Sequence, residues 1–235
     1  RCLEMKFFET SKYFSFKKSI YVNLRWIGIF GQLFTVSFVY LFLDFRFNFI
    51  LTNLVILLGA LSNIFLIYRY QKNLLTEKIS FIFLSIDIIQ LSLLIYLTGG
   101  ISNPFVIFLI IPSIFASSNL GFKSNLMLAL ITIFFIIFLT FFKMDLPEPL
   151  SDHYHVSPYI YYAIPVALII ALAFLNYFAL IFGVESRLRK EALNKMEEVM
   201  AKEHELVSLG GQAAAAAHSL STPLSTIKII IQELI

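Results

Sequence analysis

Apolar residues arrive in long blocks separated by short polar stretches over the first four-fifths of the chain. The blocks cover residues 22–43, 49–69, 79–98, 103–118, 125–142 and 158–182. A hydrocarbon core about 30 Å thick needs about 20 apolar helical residues to cross it. Each block therefore predicts a transmembrane helix, the fourth being the shortest. The short connections predict antiparallel neighbours with no large domain between them. After Phe182 the pattern changes to "GVESRLRKEALNKMEEVMAKEHEL", charged, rich in helix formers and free of proline. Alternating steps of four and three place Ala192, Met196, Val199, Glu203, Leu206, Gly210, Ala213, Ala217, Leu220, Leu224, Ile227, Ile231 and Leu234 on one seam. That heptad pattern predicts a helix paired with a second copy of itself. The fold expected is an all-α membrane protein: six transmembrane helices over 1–182, then a long cytoplasmic helix forming a dimeric coiled coil, with 183–205 as its linker and 206–235 as a further helical unit.

Composition agrees with lipid as the main solvent. The chain is 59% hydrophobic and 14% charged, with 26 Phe, more apolar side chain than a soluble domain of 235 residues can hide. The net charge of +3 implies no nucleic-acid partner, because the basic residues sit between the apolar blocks. Lys6, Lys12, Lys17, Lys18 and Arg25 precede or open the first block; Arg69, Lys72 and Lys78 lie in the second loop, Lys123 in the fourth, and Arg187, Arg189 and Lys190 after the sixth span. The intervening loops hold only Arg46 and Lys143. Positive residues inside place both termini in the cytoplasm and the third loop on the outer face. Cys2 is the lone cysteine, so no internal disulfide forms. No cleavable signal peptide is read. A first residue Arg and a last residue Ile235 inside an apolar pattern read as a fragment.

Polar residues within the apolar blocks are the candidates for chemistry. The third loop reads "GGISNPF". Gly99 and Gly100 end a helix in the left-handed conformation, while Asn103 before Pro104 is a helix N-cap with proline at the first position. Those residues make a capped hairpin. Phe105, the Asn103 amide and free helix-end N–H groups equally suit a lipid-soluble ring with carbonyl groups. Asp87 lies about 12 Å into the third block at the helical rise. An ionisable residue there marks function by default. Gln90, Leu94 and Thr98 share its face, which climbs toward the glycines, and Gln32 and Asn176 are candidate partners. The same polar groups also serve simply to join helices. Arg25 either snorkels to the interface or reaches Asp87. In the fifth loop Asp152, His153 and His155 form a cluster with no further ligand evident, so no metal is expected.

His218 stands one step past the seam residue Ala217, behind five alanines, with Pro223 five residues on. An accessible imidazole on a helix loosened by proline suits a nucleophile; a solvated surface histidine is the alternative. His218-Ser-Leu-Ser-Thr222-Pro223-Leu resembles the phosphoacceptor box of two-component sensor histidine kinases. "LRWIGIFGQLF", "DIIQLSLLIYLTGGISNPF" and "GGQAAAAAHSLSTPL" resemble the RegB/PrrB family of redox-responsive sensor kinases, along nearly the whole chain. The resemblance implies that residues 206–235 begin the dimerisation and histidine phosphotransfer domain. It implies that His218 accepts the γ-phosphoryl group of ATP and passes it to a response regulator, and that Thr222 helps position water for dephosphorylation. Ser219 stands where many such kinases carry an acidic general base. It further implies ubiquinone as the signal ligand at Gly99, Gly100, Asn103, Pro104 and Phe105, drawn from the membrane quinone pool. The protein is then a homodimer in the bacterial inner membrane. The family's redox cysteine and ATP-binding domain lie beyond Ile235, so this chain by itself is not expected to phosphorylate. A transporter with a regulatory coiled coil, or a dimerising membrane anchor, are the competing classes; Asp87 as the one acid deep in a span speaks against the first.

Overall fold

A computed structural model describes residues 16–70, 74–144, 146–147 and 157–233. Helices dominate, and each boundary has a local cause. Helix α1 (Lys18–Phe42) and helix α2 (Phe49–Arg69) form an antiparallel hairpin. Asn48 caps α2 by accepting from Leu51 N at 3.1 Å, and the Lys18 ammonium donates to the last carbonyls of α2, those of Ile67 (2.7 Å) and Tyr70. A two-residue antiparallel pairing of Phe16–Lys17 with Leu74–Leu75 ties the same end, in the register Phe16 to Leu75 and Lys17 to Leu74.

Helix α3 (Glu77–Leu97) begins with an acidic residue in its first turn, where the helix dipole favours it. It stops because Gly99 (φ 113°) and Gly100 (φ 59°) turn the chain left-handed. The backbone then makes a 3₁₀ turn at Gly100–Ser102 and a longer 3₁₀ stretch at Pro104–Ile110, followed by helix α4 (Ile111–Asn119) and helix α5 (Phe122–Phe141). Helix α6 runs from Pro158 to Glu233, 76 residues.

Contacts at the two ends set the topology. The Glu77 carboxylate at the start of α3 accepts from Gly121 N (3.1 Å) and Ser124 Oγ (2.6 Å) at the start of α5. At the other end Met144 N donates to Tyr96 O at 3.2 Å. Helices α3 and α5 therefore run parallel, and residues 104–119 return from one end to the other between them. The sixth block starts beside the end of α5, where the Tyr161 hydroxyl donates to Thr140 O.

Among the described residues, five helices are long and apolar enough to cross a membrane by length and composition: Lys18–Phe42, Phe49–Arg69, Glu77–Leu97, Phe122–Phe141 and the N-terminal part of α6. The fourth block is not among them. Instead of an α-helix over 103–118 the chain forms a 3₁₀ stretch and a nine-residue helix. The cause lies in Pro104 and Pro112, each of which removes a backbone donor within the first turns. Because 3₁₀ geometry rises about 2.0 Å per residue, the composite still extends about 28 Å.

Polar side chains inside these helices are mostly satisfied locally. Ser80, Ser92, Thr132 and Thr140 are buried, and each hydroxyl donates to the carbonyl four residues back. The core of this part is fully buried Leu66, Ile88, Leu109, Leu128, Ile136, Leu139 and Leu172. Its outer surface carries exposed phenylalanines such as Phe34, Phe134 and Phe174, as expected where lipid is the solvent.

The chain divides into two units, Arg1–Gly183 and Val184–Ile235. The second is helical through Glu233 and exposes its apolar seam, including Met196, Val199, Leu206, Leu220, Leu224, Ile227 and Ile231.

Candidate functional site

Arg25 does not snorkel. Its side chain turns into the first unit, 5% exposed, and meets Asp87 of α3. Arg25 Nη2 lies 2.7 Å and Nε 2.9 Å from the same carboxylate oxygen, Oδ1. The other oxygen accepts from the Tyr21 hydroxyl at 2.7 Å. The remaining guanidinium donors reach Ser62 Oγ at 2.5 Å and Asn63 Oδ1 at 3.5 Å on α2. Asn63 itself donates to Val22 O at 3.3 Å. The rings of Tyr21 and Phe83 each stand 5.5 Å from the guanidinium carbon, adding two cation–π contacts. Burying an ion pair is costly unless every remaining donor and lone pair is met. Here residues of three helices give each guanidinium nitrogen and both carboxylate oxygens at least one partner, which holds the pair in place.

One turn along α3, Gln90 Nε2 donates to Gln32 Oε1 of α1 at 2.8 Å. Gln90 fits because Gly59 of α2 has no side chain: a Cβ there would stand 3.3 Å from the Gln90 amide carbon. The Arg25–Asp87 pair, the glutamine pair and the third loop open onto one cavity of about 620 Å³. Its walls include Gly28 and Gly31 of α1, Leu94 and Thr98 of α3, and Phe105, Phe108 and Phe115. A volume of this size, largely apolar with a few convergent polar groups, is typical of small-molecule sites.

The structure separates the residues of the GGISNPF loop by role. Asn103, Pro104 and Phe105 line the cavity; Gly99 and Gly100 do not. The glycines make room for the protein's own chain, since a Cβ on Gly99 would stand 2.6 Å from a Leu146 methyl and one on Gly100 2.4 Å from Lys143 Cβ. The Asn103 amide, expected to offer a free donor, is used within the loop. Its oxygen caps Phe105 N at 2.9 Å, and its nitrogen donates to Thr98 Oγ1 at 2.7 Å and Thr98 O at 3.1 Å. Phe105 and Phe108 stack at 5.9 Å, each nearly half exposed.

Asn176, expected as a partner of Asp87, lies elsewhere. It joins a second buried polar group, accepting from Ser117 Oγ and donating to Ser113 Oγ at 3.2 Å. Ser117 also approaches Asn125 Oδ1 at 3.0 Å, so helices α4, α5 and α6 meet there. Tyr21, Ser62, Asn63, Gly28 and Gly59 are site residues that the sequence pattern did not single out. The signal available for Tyr21 and Gly28 was the alternation of four- and three-residue steps that puts Tyr21, Arg25, Gly28 and Gln32 on one helix face.

In the second unit His218 is exposed on the helix, and Ser219 Oγ folds back to Ala216 O at 2.9 Å. The helix continues through Thr222 and Pro223. Asp152, His153 and His155 lie outside the described residues, as does Cys2; among the described residues no three His, Cys, Asp or Glu side chains converge as a metal site would require.

Comparison with known proteins bears on both units. Over 214 residues, 91% of its length, the chain is 30% identical to the sensor histidine kinase RegB of Cereibacter sphaeroides. Over nearly its whole length the chain is therefore similar to RegB-like histidine kinases. A RegB from a second strain of that species is 39% identical over 69 residues, 29% of the chain and 15% of the relative. The 214-residue match spans 46% of the RegB sequence, so the chain corresponds to less than half of that curated relative. No family model and no solved structure matches the chain. That similarity and the apolar helices together make it a multi-pass membrane protein.

Proposed function

We propose that the chain is the membrane input half of a two-component sensor histidine kinase, and that its first unit binds a quinone. The observation that carries the reading is the cavity of about 620 Å³ that joins the GGISNPF loop to the polar pairs of α1 and α3. Fit to a quinone rests on three features: aromatic Phe105 and Phe108 for the ring, apolar walls for an isoprenoid tail, and amide groups for the carbonyls. Phe105 would lie against the ring, while the Arg25–Asp87 pair, fully engaged, fixes the spacing of α1 and α3. A bound quinone supplies the redox information; the protein's part is to bind, orient and report.

The return of residues 104–119 between the ends of α3 and α5 supports a sixth crossing, and with the basic loops it supports both termini in the cytoplasm. Exposed Met196, Val199, Leu206, Leu220 and Leu224 support a coiled-coil homodimer over 183–205 that continues into the phosphotransfer helix of 206–235. In the whole protein His218 accepts the phosphoryl group from ATP held by a domain outside this chain. It then passes that group to a response regulator. Ser219 cannot take the imidazole proton as a carboxylate would, and its hydroxyl is turned to Ala216 O.

The first test titrates a short-chain ubiquinone onto the chain in lipid nanodiscs by equilibrium dialysis. Saturable binding that weakens at least fivefold in Phe105→Ala is the expected result. Linear, unsaturable uptake equal in both would mean partition into lipid and would end the quinone reading.

A further inference from the structure

Among the polar groups that line the cavity, one pair stands apart from the loop and from the Arg25–Asp87 cluster. Gln32 and Gln90 both line it, and they share a single hydrogen bond. Each amide has a carbonyl and an NH₂ group, so after that bond one NH₂ and one carbonyl have no partner among the described residues. Exchanging the two amides by rotation changes which residue donates but leaves the same pair of groups over. In hydrocarbon an amide without a partner is costly, so the arrangement is incomplete in a way that the Arg25–Asp87 cluster is not. The loop, by contrast, has spent its amide: Asn103 is bonded at both ends.

The space in front of the glutamines is also shaped. Gly28 and Gly31 precede Gln32 by four and one positions, line the same cavity, and would have nothing within 4 Å of an added Cβ. Helix α1 thus presents a bare slot beside its only glutamine. Gln90 is seven residues before Leu97, so the pair lies about 10 Å along α3 from the glycine turn.

We infer that a ligand carbonyl is held by the Gln32–Gln90 amide pair in the slot beside Gly28, and that the loop contributes only the Phe105–Phe108 wall. The inference rests on the quinone reading and deepens it by moving the polar contact from the loop to mid-helix. A carbonyl accepts from the spare NH₂ group; a hydroxyl in its place donates to the spare carbonyl. The glutamine pair therefore exchanges its hydrogen-bonding role when a ring carbonyl becomes a hydroxyl, without any change in charge.

The test uses the chain in nanodiscs with short-chain ubiquinone carrying ¹³C at one ring carbonyl. Binding is followed by equilibrium dialysis and the labelled carbonyl stretch by difference infrared spectroscopy. Losing one such hydrogen bond weakens binding about tenfold in Gln32→Met and in Gln90→Met. It also returns the bound carbonyl stretch to its frequency in free solution. Gly28→Leu fills the slot and abolishes saturable binding while touching no polar group. Wild-type-like affinity and carbonyl frequency in both glutamine variants, with wild type still saturable, would overturn the inference and leave the quinone reading standing. Unsaturable uptake by the wild type itself would remove both. A glutamine variant that failed to fold would show lost thermal unfolding in detergent, and Gly28→Leu then decides the matter.

Discussion

Arg25 and Asp87 illustrate how a residue's meaning changes with its partners. The sequence marked Asp87, Gln90 and Gln32 because polar groups inside apolar blocks stand out, and it left Arg25 between two fates. Nothing local identified Tyr21, Ser62 and Asn63 as the groups that complete the cluster, since the contacts join positions 37 to 66 residues apart. Removing one member strands the other's charge. Arg25→Met or Asp87→Leu alone should therefore cost about 3–5 kcal/mol, whereas the double substitution should recover most of that loss. Unfolding midpoints in detergent titrations measure both. Asn103 has a different job, and Asn103→Ala should cost about 1–2 kcal/mol through its cap and its Thr98 bonds. Thr98→Val, which keeps the cap, should cost less by the same measurement.

Among the elements, the helices that the sequence announced most clearly were those with long apolar runs. The block 103–118, read as one helix, is instead a 3₁₀ stretch followed by a short α-helix, because a run that is apolar on every side carries no period to read. Proline at positions 104 and 112 was the available hint. Helix α6 shows the opposite case, where a polar residue inside a span was noticed and its partner mistaken. Asn176 ties α6 to Ser113 and Ser117, so Asn176→Leu should lower the unfolding midpoint in detergent without altering the affinity for ubiquinone. Equal losses of stability and binding would mean that this cluster and the cavity act as one structural unit.

For the molecule as a whole, the two units make separate demands. The exposed seam of the second unit predicts which positions meet in a dimer: with Cys2 replaced by serine, single cysteines at Met196, Val199, Leu220 or Leu224 should cross-link under mild oxidation. A cysteine at Glu197 or Lys202 should not, and gel electrophoresis of the oxidised protein reads the pattern. On the proposed kinase function, His218→Gln in the full-length protein should remove all radiolabel transfer from ATP, while His204→Gln should leave it intact. The first unit has a mechanical property of its own. In the 3₁₀ stretch, side chains three apart eclipse, so Phe105 and Phe108 form one row along the cavity and Val106 and Leu109 a second row against the core. Rewinding those seven residues to α pitch would turn each row by about 60° per step of three and draw the segment in by about 3–4 Å. Phe105 and Phe108 stay stacked side by side only at the 3₁₀ winding, so the pitch of a single short segment sets the shape of the cavity's aromatic wall.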